Sequence, residues 1–165
     1  MPGVVLSPKP AKVNITGASL LAYAEQYHQA SVVWLPHAKR MSRFDAVSFH
    51  LVCQALELYL KSFIWLKQGI GLGTLKSRYG HDLAKLWKAS KREGISGFAK
   101  PTPLRDDVVA LVAPYYKQRR FNYLDFTMIV SGYSDLRAEP RAVPTLMRLN
   151  RQLDKTIRGP LFRAS

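Results

Sequence analysis

The chain has 165 residues, with 25 Lys and Arg against 11 Asp and Glu and a formal charge of +14. A chain of this length buries roughly 70% of its unfolded surface without staples, and its single cysteine, Cys53, excludes an intrachain disulfide and a cysteine-based zinc site. The charge points to an acidic partner: nucleic acid, an anionic membrane surface or an acidic protein. The alternative is a charge that serves solubility alone.

The first stretch, Met1 to Asn14, holds three prolines and two lysines and no long apolar run, so residues 1–15 are expected to be an extended arm without a secretion signal. Residues 16–165 are expected to form one domain. Leu20, Leu21, Ala24, Tyr27, His28, Ser31 and Leu35 recur near helical spacing and predict a first helix over 17–35, broken by Pro36.

Ser42 and Asp45 resemble a capping box. From Arg43 a second helix is expected to run to Gln68 and to stop at Gly69. It is apolar around most of its circumference, as a central helix of the core would be. The longest apolar region, 44–66, is interrupted by Glu57 and Lys61, whereas a membrane span wants about 20 nearly uncharged residues. The expectation is a cytoplasmic protein that does not enter a membrane.

Residues 69–80 read as a glycine-rich loop. Gly69, Gly71 and Gly73 do not make a phosphate loop: they follow a helix, no Gly-Lys-Ser/Thr ending is present, and no helix is expected directly after them. A third helix should start at His81-Asp82, where Asp82 suits the positive end of the dipole, and end near Gly94. A fourth begins near Leu104, and Pro114 should kink or restart it. Residues 124–142 look irregular, with 126–130 a short extended piece. Pro144 opens a last helix that ends near Arg158. The expected fold class is all-α: one compact bundle of about five helices around a long apolar central helix.

Three constellations could carry chemistry. On the second helix Arg43, His50, Gln54, Glu57 and Lys61 follow one another at seven, four, three and four residues, within an arc of about 60°. They form either a solvent face, with Glu57 and Lys61 an ordinary i,i+4 pair, or the floor of a cleft that holds an anion or a second chain. In the run from Tyr115 to Tyr123, aromatics could stack on bases while Lys117, Arg119 and Arg120 neutralise phosphates. Equally, Tyr116, Phe121 and Tyr123 could be core anchors. On the last helix Arg148, Arg151, Lys155 and Arg158 recur at three, four and three residues, opposite Leu146, Leu149, Leu153 and Ile157.

Catalysis has less support. The four histidines, His28, His37, His50 and His81, all lie in the first half. No metal-ligand spacing and no Gly-x-Ser-x-Gly signature is present, and no cofactor is expected.

The string from Gln54 to Lys61, with its Glu57-x-x-x-Lys61 pattern, then Gly69, then Tyr79-Gly80-His81-Asp82-Leu83, resembles the HEPN superfamily. The stretch Tyr116-x-x-x-Arg120-Phe121-Asn122-Tyr123 looks like that family's later Tyr/Arg-rich segment. The resemblance spans roughly residues 17 to 158. It implies a helical bundle that usually pairs as a homodimer, among metal-independent ribonucleases and non-catalytic RNA- or nucleotide-binding proteins of toxin–antitoxin and defence systems.

The family's nucleases carry an Arg, four to six residues, then a His. The Arg stabilises phosphate charge and the His transfers a proton. Here no His follows Arg119, Arg120 or any later Arg. Arg43 and His50, with six residues between them, are the one formal match.

Three readings follow. The first is binding of RNA or another polyanion through a basic surface, with Gln54, Glu57, Lys61, His81, Asp82, Tyr116, Lys117, Arg119, Arg120, Tyr123, Arg148, Arg151, Lys155 and Arg158 as binding residues. The second is a ribonuclease using Arg43 and His50. The third is an interaction protein whose basic surface meets an acidic partner protein.

Overall fold

The computed structural model describes residues 15–38, 44–122 and 133–164, the last four of these as backbone only. The described residues are helical, with no strand among them. They form seven α-helices rather than the five expected: α1 (Gly17–Ala38), α2 (Ala46–Gln68), α3 (Leu72–Tyr79), α4 (Leu83–Arg92), α5 (Pro103–Lys117), α6 (Ser134–Ala138) and α7 (Ala142–Ala164). A 3₁₀ turn, Ile95–Gly97, follows α4. The arm expected over residues 1–15 and the extended piece expected over 126–130 lie outside the described residues, except for Ile15.

Local chemistry sets most of the helix ends. Ahead of α1, Thr16 and Ser19 exchange backbone-to-hydroxyl bonds of 3.4 and 3.3 Å, which satisfies two amides at the helix start. For α2 the cap is Asp45; Ser42, the expected opening residue of a capping box, lies outside the described residues. The Asp45 carboxylate accepts from the Val47 amide at 3.1 Å, the Ser48 hydroxyl at 2.5 Å and the Trp34 indole at 2.8 Å. One side chain therefore caps α2 and ties it to α1. At the other end Gly69 takes a left-handed φ of 63° and donates to Trp65 O at 2.8 Å, a conformation that glycine adopts without a Cβ penalty.

The stretch expected to be a glycine loop is a helix from Leu72. Its apolar residues explain why: Leu72, Leu75 and Tyr79 stand at i, i+3 and i+7. Leu75 is fully buried and the other two pack against the core. The absence of a helix after the glycines is therefore no argument against a phosphate loop. The missing Gly-Lys-Ser/Thr ending still is.

Prolines also stop less than expected. Pro36, Pro114 and Pro160 all lie inside helices. Each removes one amide that would bond the carbonyl four residues back. At Pro36 and Pro114 that residue is Val32 or Ala110, both exposed, so the released carbonyl can turn to water.

The core is built on α2, which packs against α1, α4, α5 and α7. Val52, Leu56, Tyr59, Leu60 and Phe63 are buried on it. So are Ser48, Glu57, Lys61 and Ser62. The long apolar rod expected is instead a 23-residue helix with charges inside its buried surface. From α7, Leu146, Leu149, Leu153 and Ile157 enter the core together with Asn150, whose amide donates to Val52 O at 2.9 Å.

Candidate functional site

Helices α2, α4 and α5 bring one polar cluster together. On α2, Lys61 Nζ donates to Glu57 Oε1 at 2.5 Å, and the two side chains are 9% and 2% exposed. The solvent-face reading of this pair does not hold. The second oxygen of Glu57 lies 2.9 Å from His81 Nδ1. When the neutral ring donates Nδ1–H to that carboxylate, Nε2 becomes its acceptor, and Arg119 Nη2 lies 3.2 Å from it.

The turn between α3 and α4 puts His81 there. Gly80, at φ 53°, ends α3 by donating to Lys76 O, and Asp82 opens α4 by accepting from the Lys85 amide at 3.0 Å. Asp82 also accepts from Lys117 Nζ at 2.8 Å, which joins the start of α4 to the end of α5. Partial burial disfavours the Asp82 charge. The hydrogen bonds from Lys117 and the Lys85 amide outweigh that, and the carboxyl is held below its usual range.

At the end of α5, Tyr116 is buried and donates to Gln54 Oε1 at 2.5 Å. Burial, and then the nearby Glu57 charge, push the phenol above its ordinary range, so it stays a donor. Gln54 is thereby oriented with its NH₂ end as the remaining donor. Arg119 reverses the chain at φ 57°, in the left-handed region that non-glycine residues rarely occupy. Its amide bonds Tyr116 O at 2.9 Å, and the reversal carries its guanidinium across to His81.

Gln54, His81, Tyr116, Arg119 and Asn122 line a cavity of about 120 Å³. Asn122 is the member that the sequence reading missed. It stands inside the basic aromatic run, but only the reversal at Arg119 places it here. His50 flanks the cluster, half-buried, with Tyr27 edge-on at 6.2 Å. Burial lowers its pKa more than Asn122 and Glu57 raise it, and its Nδ1 has no partner among the described residues.

The remaining expected residues divide into two groups. Lys117 is exposed beside the cluster, and Arg120 lies 5.9 Å over the Tyr115 ring. The second group, Arg148, Arg151, Lys155 and Arg158, is exposed on α7. That helix docks on α2 at Val52, about 190° around the helix from the seam of His50, Gln54, Glu57 and Lys61. The two basic groups therefore face different sides. Part of the α7 stripe is already engaged, since Arg158 pairs with Glu25 at 2.8 Å and Asp154 at 3.3 Å. Arg43 and Tyr123 lie outside the described residues.

Among the described residues no group of three or more His, Cys, Asp and Glu could hold a metal ion, and no helix is long and apolar enough to cross a membrane. The chain matches no protein-family model, no curated protein and no solved structure.

Proposed function

We propose that this chain is a HEPN-like helical domain that binds RNA through the Arg119–His81 cavity and the cations beside it. One observation carries the reading. Residues from α2, from the turn before α4 and from the end of α5 and the reversal after it meet where a guanidinium, an imidazole and two amide side chains line a single small cavity, and Glu57, paired with Lys61, holds the imidazole of His81. A phosphate group suits the guanidinium and the two amide NH₂ groups as donors. The unusual backbone at Arg119 agrees with a positioned functional residue.

Binding should weaken steeply with salt, because phosphate neutralisation releases counterions. Titration of a labelled single-stranded RNA in rising salt tests this. Arg119→Ala should lower affinity roughly 10- to 150-fold, as for the loss of one charge-assisted bond of roughly 1.5–3 kcal/mol. Its log–log salt slope should fall by about 0.7. An unchanged affinity would remove the cavity from the reading.

A second reading, metal-independent cleavage of the bound RNA, is favoured by the Glu57–His81 contact, which holds the ring with Nε2 turned to the cavity side. Incubating RNA with chelator and wild type, His81→Ala or His50→Ala separates the cases. Intact RNA with the wild-type chain ends the catalytic reading, and loss of cutting in one variant alone names the histidine.

A further inference from the structure

We infer that a second anion site lies at the opposite end of α5 from the Arg119 cavity, where Arg105 and Arg148 flank a cleft that takes a small phosphate-type dianion. Thr102, Leu104 and Arg105 from the start of α5, with Thr145 and Arg148 from the start of α7, line a cavity of about 220 Å³. Arg105 and Lys117 stand roughly 18 Å apart along α5, so the two cavities are separate places.

Two guanidiniums meet here without a carboxylate. Arg105 Nη1 donates to Lys100 O at 2.6 Å and Nη2 to Gln152 Oε1 at 2.8 Å, while Arg148 Nε donates to Pro144 O at 3.2 Å. These partners are all neutral. Neither Arg pairs with an acid among the described residues. The two acids that follow Arg105 in α5 are engaged elsewhere. Asp106 accepts from Trp87 and Lys91, and Asp107 lines a different cavity with Asp135 and Glu139. Burial, and then the Arg148 charge, disfavour the Arg105 cation. A guanidinium carries five N–H donors, so both side chains keep donors for a ligand.

Thr145 supplies an independent observation. It is 4% exposed, and its Oγ1 is buried with no hydrogen-bond partner among the described residues. A helical threonine can give its hydroxyl to the carbonyl four residues back, as Thr156 does on the same helix, to Gln152 O at 2.8 Å. Thr145 does not, although Arg141 O is in place and accepts from the Thr145 amide at 2.9 Å. A buried hydroxyl without a partner calls for an explanation, and an anion oxygen held between the two guanidiniums gives one. Thr102 adds a second hydroxyl. It accepts from the Arg105 amide at 3.3 Å and keeps its own O–H as a donor.

The lining sets the class of ligand. Two cations, two hydroxyls and no carboxylate match a group with several acceptor oxygens and two negative charges. The first turns of α5 and α7 add the positive ends of two helix dipoles. A phosphate monoester carries close to two charges at neutral pH, whereas each diester link of RNA carries one. The cavity therefore suits a free phosphate, or one on a short carbon skeleton lying against Leu104, better than a passing strand.

The inference does not depend on the RNA reading, and calorimetric titration of inorganic phosphate tests it. The full chain with Arg119→Ala is used, so that the other cavity does not contribute, with chloride at equal ionic strength as the control. Saturable binding of phosphate beyond chloride is expected. Arg148→Gln should weaken it at least tenfold, as for one lost charge-assisted bond. The thermal midpoint should stay unchanged, because Arg148 is exposed and bonds only its own helix. Thr145→Val should weaken binding roughly two- to tenfold without lowering the thermal midpoint, because it removes a hydroxyl that has no partner. No binding beyond chloride, or phosphate binding that Arg148→Gln leaves intact, would overturn the inference. Malonate, a flat dianion, binding more tightly than phosphate would overturn the phosphate assignment. A loss of RNA affinity in Arg148→Gln, with no phosphate bound, would make this cation part of an RNA surface and end the separate site.

Discussion

Glu57 is held from both sides, by Lys61 at 2.5 Å and His81 at 2.9 Å, while only 2% of its side chain is exposed. A buried carboxylate with both oxygens engaged is stable only as long as its partners stay. Glu57→Gln keeps the shape, but it leaves the Lys61 ammonium buried without a counter-charge. Removing one member of such a pair costs roughly 3–5 kcal/mol, so the denaturant midpoint should fall strongly. Adding Lys61→Met should recover part of the loss, because the stranded charge is then gone.

Two other histidines set a pH dependence. Burial lowers the pKa of both His28 and His50. The unfolded chain then takes up protons first as pH falls through the ordinary imidazole value near 6.5, and stability drops until the lower, folded values are passed. Above about 6.5 this contribution is fully present. Thermal melts from neutral to mildly acidic pH should show the fall, and His28→Leu should reduce its slope.

At the scale of helices, what could be read in the sequence was what neighbours in the chain decide. The stop at Gly69 and the cap at Asp82 need only a left-handed glycine and a carboxylate three residues from an amide. The seam of His50, Gln54, Glu57 and Lys61 likewise follows from spacing alone. Helix α3 was hidden because its three flanking or internal glycines argue for a loop, while burial of Leu75 decides for a helix. The prolines misled because their effect depends on whether the released carbonyl faces water, which is a tertiary fact. The site was legible in parts and not as a whole: Glu57, His81 and Arg119 were each visible, but their meeting rests on the left-handed turn at Arg119.

Two glycines measure the difference between local and distant constraint. Gly69→Ala meets no atom within 4 Å and strains only the backbone, so it should cost about 1 kcal/mol. Gly17 has no such conformation, yet a Cβ there would lie 2.2 Å from the Trp65 ring. Gly17→Ala must therefore push α1 off α2 or turn the indole out of its packing, and it should cost more, about 1–3 kcal/mol by denaturant melts.

Over the whole molecule the positive charge is divided rather than spread. Lys117 and Arg119 stand beside the cavity, the α7 stripe lies across α2 from it, and the outer face of α1 carries none. One binding event can use these regions unequally, and salt slopes report which ones release counterions. If RNA is held at the cavity, Lys117→Ala with Arg119→Ala should lower the slope by about 1.4, two phosphate contacts on a single strand. Arg148→Ala with Arg151→Ala and Lys155→Ala should change it by less than one contact, since the strand would have to pass around the body of the domain to reach them. Lys117 complicates the first variant, because it also holds Asp82 at the start of α4. Lys117→Gln, which can still donate to that carboxylate, separates the lost phosphate charge from a loosened helix start. A strand that wraps the domain would invert the pattern, and three α7 substitutions would then cost more slope than two at the cavity.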